Sequence, residues 1–159
     1  MTTMFDRLVA LLEREQARFR IIRHPAAGTS ASVAEIRGTR PEQGAKALLC
    51  QVAGLPDRYV LAVLAGNRRL DFRKTGQAVG GKKASLVPPE EATQLTGCVM
   101  GAVPPFSFWP NVTLIADPRL LEENTEIAFN AGRLDVSMVL DAQDYRRIAA
   151  PTLCSISVD

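Results

Sequence analysis

Lys46 is the residue whose type and setting most constrain what this chain can do. It lies in Gly44-Ala45-Lys46-Ala47-Leu48-Leu49-Cys50-Gln51-Val52, a run whose composition predicts a buried strand. Side chains alternate across a strand, so Lys46 shares a face with Leu48, Cys50 and Val52. Ala45, Ala47, Leu49, Gln51 and Ala53 make up the other face. An ammonium among aliphatic neighbours reaches water, meets an anion or loses its proton. Each outcome points to a cleft. The competing reading is a lysine at a strand end that simply meets solvent.

Two further segments carry chemical potential. Gly101-Ala102-Val103-Pro104-Pro105-Phe106-Ser107-Phe108-Trp109-Pro110 combines a glycine, which lets backbone amides approach a ligand, with paired prolines that stiffen a loop. Phe106, Phe108 and Trp109 either stack on a base or ribose or pack into the core. Arg68, Arg69, Arg73, Lys74, Lys82 and Lys83 cluster around one acid, Asp71, while Asp117, Glu122, Glu123 and Glu126 gather elsewhere. Such asymmetry makes either a phosphate-facing patch or an ordinary solvated surface.

Other chemistries are disfavoured. His24 is the sole histidine, and neither a Gly-x-Ser-x-Gly elbow nor an HExxH pattern occurs. His24 precedes Pro25 and reads as a loop residue or a catalyst. Cys50, Cys98 and Cys154 are odd in number and far apart, which argues against a disulfide framework or a zinc knuckle, and a cysteine hydrolase is a distant alternative. Gly76–Lys83 lacks the spacing of an ATP-binding phosphate loop. No cofactor and no metal is expected.

The elements that must position these residues follow from pattern. With 159 residues and a net charge of +2, the chain is expected to form one domain, with no overt nucleic-acid signature in its overall charge. The N-terminus lacks a signal-peptide pattern and no apolar run is long enough for a membrane span, so a cytoplasmic setting is expected. Helical spacing of Phe5, Leu8, Val9 and Leu12 predicts a helix from about residue 4 to 17. Phe19–Ile22 reads as a short strand. A helix capped by Ser30 or Ser32 ends at Gly38. The Lys46 strand pairs with Tyr59–Leu64 across a Gly54–Asp57 turn. Helices are expected after Asp71, after Pro88 and after Asp141. Strands are expected at 85–87, 112–116, 126–130 and 137–140. Interleaved elements of both types predict a mixed α+β domain.

In combination these segments resemble the YbaK-like, prolyl-tRNA synthetase-associated editing domains. The carriers are His24-Pro25 after a strand, Gly44-Ala45-Lys46-Ala47-Leu48, Lys83-Ala84-Ser85-Leu86, Leu95-Thr96-Gly97-Cys98-Val99, Gly101-Ala102-Val103-Pro104-Pro105-Phe106 and Phe129-Asn130-Ala131-Gly132-Arg133. They occur in family order over nearly the whole chain. Ala34-Glu35-Ile36-Arg37-Gly38-Thr39 and Pro104-Pro105-Phe106-Ser107-Phe108 are most similar to the free-standing YeaK branch. The resemblance implies a central mixed, partly barrel-like sheet and hydrolysis of the ester that joins a small wrong amino acid (serine, alanine or threonine) to tRNA. It implies Lys46 and Gly101 as catalytic, and His24, Thr29, Ser30, Ala102, Pro104, Pro105, Phe106 and Asn130 around the substrate. The Arg68–Lys83 cations would track the acceptor stem. Mischarged tRNA is the expected partner, with an aminoacyl-tRNA synthetase as a second one and neither DNA nor membrane. Asn130 stands where some branches carry histidine, which leaves the edited amino acid open. The alternatives are a non-catalytic module binding an amino acid or nucleotide, and a synthetase-interacting protein.

Overall fold

Eight strands divide into two sheets in the computed structural model, which describes residues 2–26 and 30–159. The smaller sheet has the order β1-β7-β6, all antiparallel, with β1 Phe19–Arg23, β6 Glu126–Asn130 and β7 Val136–Asp141. The larger has the order β4-β2-β3-β5-β8, with β2 Ala45–Val52, β3 Leu55–Ala65, β4 Ala84–Leu86, β5 Val112–Ala116 and β8 Thr152–Leu153. It is mixed: β4-β2-β3 run antiparallel, whereas β5 and β8 add in parallel. A parallel bridge between Gly44 and Ala128 ties the sheets together without closing a barrel.

The helices form where local chemistry directs them. Thr3 and Asp6 make a reciprocal capping box at α1, Met4–Arg14, which lays Leu8 and Leu12 into the core. This helix ends earlier than its hydrophobic spacing predicts, because Gln16 turns left-handed at φ 56° and the Ala17 N–H returns to the Leu12 carbonyl. The expected helix before Gly38 is α2, Ser30–Arg37. Asp71 caps α3, Phe72–Ala78, and Asp141 caps α6, Ala142–Ala149. α4, Pro89–Thr96, ends on left-handed Gly97.

Three further elements depart from sequence expectation. The β2–β3 turn is tighter, with Val52 opposite Leu55 and a bulge carrying the register onto Gln51–Tyr59. A further helix, α5 Pro118–Glu122, follows the Asp117-Pro118 start signal, and β8 is a two-residue strand too short for any period.

The larger sheet is buried on both faces. Ala45, Val63, Ala65 and Ala116 face the smaller sheet with Phe106, Phe129, Met138 and Tyr145. Cys50, Val52, Val60, Ala62, Leu64 and Ile115 face Leu70 and Ile156 behind it. Asp117 fixes that rear layer: its buried carboxylate accepts from the Ile156 and Ser157 amides, the Ser157 hydroxyl at 2.8 Å and Arg119. Burial pushes the carboxyl pKa up, but these donors together outweigh it and hold it at about 2.

A carboxylate with a depressed folded-state pKa stabilises the fold above its unfolded value, and that stability fades as pH falls through the folded value. Denaturant unfolding should therefore show roughly 2 kcal/mol of stability lost between about pH 4 and pH 2 on this account. Asp117→Asn should be less stable at neutral pH and lose less stability than wild type across that window, with the remainder left to the other depressed carboxylates Asp6, Asp135 and Asp144. A variant with the wild-type pH profile would contradict the assignment.

Candidate functional site

A cavity of about 510 Å³ opens where the two sheets part. It runs along β2 from Gly44 to Leu49, a stretch that β4 leaves unpaired because β4 meets only Cys50–Val52. Ala128, Phe129 and Asn130 of β6 form the facing wall, with Gly101 and Val103 above and Arg37 of α2 at one end. Most of the lining is apolar, and its polar groups converge from three separate elements. That is the usual make-up of a small-molecule site.

Lys46 lines this cavity, as its sequence context predicts. Its face of β2 is the one shared with Leu48 and Cys50, and its cross-strand neighbour is buried Leu64. The side chain is half-buried, and Nζ donates to the carbonyl of Arg68 in the β3–α3 connection. Burial lowers its pKa. The Gly101 loop lies toward the opposite face of β2, where Ala47 and Val103 pack against Leu49, Leu61 and Val87. Lys46 and Gly101 thus flank the cavity from different sides.

The loop itself is held by its carbonyls. Gly101 adopts φ +87°, a conformation that strains any residue with a Cβ. Its carbonyl accepts from Asn130 Nδ2 at 2.9 Å, and the next carbonyl, of Ala102, accepts from the Gly132 amide at 2.9 Å. The Ala102 amide is committed to the Val99 carbonyl. Among the described residues, the Met100, Gly101 and Val103 amides of the cavity lining have no hydrogen-bond partner, so they are N–H groups this segment can offer a ligand.

Behind Asn130 lies a buried polar network that joins it to two residues not assigned a role from sequence, Arg37 and Ser137. Arg37 Nε donates to Ser137 Oγ at 2.7 Å, and its NH2 group donates to Asn130 Oδ1 at 3.0 Å. His24 closes the chain. Its Nδ1 lies 2.8 Å from the Pro25 carbonyl and its Nε2 2.7 Å from Ser137 Oγ. A carbonyl can only accept, so Nδ1 carries a proton, and the one Ser137 hydroxyl proton lies between two acceptors, His24 Nε2 and Asn130 Oδ1, the latter 3.3 Å from Oγ. His24 therefore belongs to a network beneath the cavity wall and is not among the residues that line it. Arg37 has no carboxylate within ion-pair distance among the described residues, and burial pushes its pKa down to about 10.

Several expected substrate contacts lie elsewhere. Ala102, Pro104, Pro105 and Phe106 are buried and do not line the cavity. Phe106 meets Phe129 and Tyr145 edge-on, with centroids at 5.9 and 5.2 Å, while the Tyr145 hydroxyl donates to the Pro105 carbonyl at 2.7 Å. These residues form the loop's foundation, because an aromatic side chain gains more from full burial than from a half-open platform. Phe108 and Trp109 pack on each other, and Arg7 covers the Phe108 ring. Thr29 lies outside the described residues, and Ser30 begins α2.

The basic cluster is also divided. Arg68 pairs with Glu123 at 3.6 Å, and Lys74 donates to the Ser157 carbonyl and to Asp159. The fold thus supplies acids that the linear sequence places far away. Arg73, Lys82 and Lys83 line a shallow depression together, and Arg69 is exposed. The thiols are unsuited to nucleophilic work: burial raises Cys98 and pushes Cys50 up to about 12.

A two-sheet α+β fold with a loop-and-lysine cavity at the sheet junction defines a class. Residues 24–148 match the aminoacyl-tRNA editing domain, and the chain belongs to that family. Among individual proteins it is similar to the multifunctional Ser/Thr-tRNA deacylase ProXp-y of Escherichia coli K12, with 52% identity over 93% of this chain and 89% of that protein. A proline–tRNA ligase of Geobacillus thermodenitrificans is 32% identical over 58% of this chain and 16% of the ligase. The same fold occurs in the crystal structure of a candidate trans-editing enzyme for prolyl tRNA synthetase, with TM-score 0.84, 22% identity, and 100% of this chain and 99% of that one covered. It also occurs in hypothetical protein APE2540, with TM-score 0.84, 20% identity, and 95% and 99% covered.

The reassignment of Phe106 to the core is testable by stability. Phe106→Ala should cost about 3–5 kcal/mol in denaturant unfolding, and Phe106→Leu much less. An unchanged unfolding midpoint for Phe106→Ala would restore the exposed stacking platform.

Proposed function

We propose that residues 1–159 act as one editing domain that hydrolyses the ester between a small wrong amino acid (serine, threonine or alanine) and tRNA. The observation that carries this reading is the cavity at the sheet junction, with Lys46 on one side and the free amides of Gly101 and Val103 on the other. Family membership and the similarity to a Ser/Thr-tRNA deacylase support it.

Ester hydrolysis requires a placed water and donors aimed where the carbonyl oxygen becomes negative. The Gly101 and Val103 amides supply those donors in this account, held in place by the two tied carbonyls. Lys46, steadied by the Arg68 carbonyl, meets a phosphate or ribose oxygen of the tRNA end. His24 and the cysteines are spent or insulated, so the water is oriented by backbone groups or by the terminal ribose hydroxyl. The cavity is large enough for an aminoacyl group together with part of its nucleoside. Selectivity for small side chains falls to its Val33, Ala45, Ala128 and Asn130 wall, which works as a second sieve. Arg73, Lys82, Lys83 and Arg69 contact the acceptor stem, with Arg68 and Lys74 contributing less because acids already engage them. The setting is cytoplasmic, and among the described residues no helix is long and apolar enough to cross a membrane. A synthetase is a second partner on this reading, to be sought by co-purification.

Lys46→Ala should lower kcat/KM for deacylation of seryl-tRNA by about 100-fold while leaving the unfolding midpoint near wild type. Deacylation at the wild-type rate would remove Lys46 from the mechanism. Charge reversal at Arg73 and Lys83 should weaken tRNA binding and reduce its salt slope by about one unit per cation. Lys74→Gln should do little. Equal effects at all three positions would contradict the divided patch.

A further inference from the structure

The proposed reaction leaves one expensive feature unused. Arg37 is 9% exposed, ends α2 beside the cavity and has no carboxylate partner among the described residues. A buried cation bound only to neutral groups costs stability, so what it orders bears on function. What it orders is visible in the hydrogen bonds. Its Nε and NH2 reach Ser137 and Asn130, which sit directly opposite each other on β7 and β6. The guanidinium fork spans both at once, a geometry that a lysine ammonium cannot reproduce.

We infer that Arg37 is a positioning residue for the Gly101 loop, acting through the amide of Asn130. An Asn side chain has one accepting and one donating end. Arg37 can only donate, so it takes Oδ1 and turns Nδ2 toward the Gly101 carbonyl, which can only accept. The reversed amide would set an NH2 group against the guanidinium and an oxygen against a carbonyl. His24 and Ser137 complete the arrangement. With its one proton directed to His24 Nε2 or Asn130 Oδ1, the serine oxygen presents a lone pair to Arg37 Nε. A charge fixed at one end of the cavity thus sets the amide that holds the loop whose free N–H groups face the ester on the proposed reading. This role rests on the hydrolytic reading of the cavity, but the coupling of Arg37 to the loop does not.

The test uses Arg37→Met, which keeps volume and removes the fork, together with Arg37→Lys, Asn130→Ala and the Arg37→Met/Asn130→Ala pair. Amide hydrogen exchange of the full chain is read first. Arg37→Met should speed exchange in the 99–103 loop, with the unfolding midpoint unchanged or raised. In single-turnover and steady-state deacylation of seryl-tRNA, kcat should fall about 10–100-fold, the scale of a small misplacement of a catalytic group, while KM stays within about twofold. Arg37→Lys should fail to rescue it. The double variant should be no slower than Asn130→Ala alone, because both act on one link. Additive losses, or unaltered exchange in the loop, would overturn the inference. A wild-type protein that deacylates no tRNA would refute the hydrolytic reading, and the exchange result would then decide the coupling by itself.

Discussion

The guanidinium of Arg37 is the constraint around which the site is arranged. A charge buried against neutral partners demands that every nearby polar atom be oriented and satisfied. Ser137 on the central strand of the small sheet, Asn130 on its edge and His24 after β1 all answer that demand. The sheets meet at Gly44–Ala128 and part along β2, and Arg37 and Asn130 bring polar groups to the cavity between them.

The two sides of that cavity divide the labour. Lys46 is anchored by a backbone carbonyl of the segment that leads into the basic depression, so on the proposed reading it faces the charged end of a nucleic acid. On the same reading the Gly101 loop faces the ester. Its position comes from both its carbonyls and its foundation: Gly101 and Ala102 are tied to the end of β6, and the Pro105–Phe106 segment is clamped by Phe129 and Tyr145. A loop fixed this way presents N–H groups without reorganising, which is the condition for strong electrostatic stabilisation of a developing oxyanion. No side chain then has to serve as nucleophile, consistent with thiols whose burial keeps them protonated.

Much of this was legible in the sequence where chemistry is local. Asp71, Asp141 and Gly97 mark helix ends by their own side chains or lack of one, and the structure follows them. The alternation around Lys46 placed the cation on the correct face. What was not legible depends on distant partners. Phe106 in a glycine-proline loop has the same composition whether it stacks on a base or fills a core, and only Phe129 and Tyr145 decide between them. The basic run looked continuous because Glu123 and Asp159 are remote in sequence. Arg37 ends an amphipathic helix where a basic residue suits the dipole, so nothing local distinguishes it from a surface arginine. Its one available signal was Ser137 and Asn130, polar residues within otherwise apolar strand segments.

Single-turnover deacylation by the purified protein, across tRNAs charged with serine, threonine, alanine and a bulky residue such as phenylalanine, is the most direct measure of the central claim. The account predicts release of the small amino acids well above the spontaneous rate and phenylalanine at the spontaneous rate. Release of every amino acid at the buffer rate would contradict it.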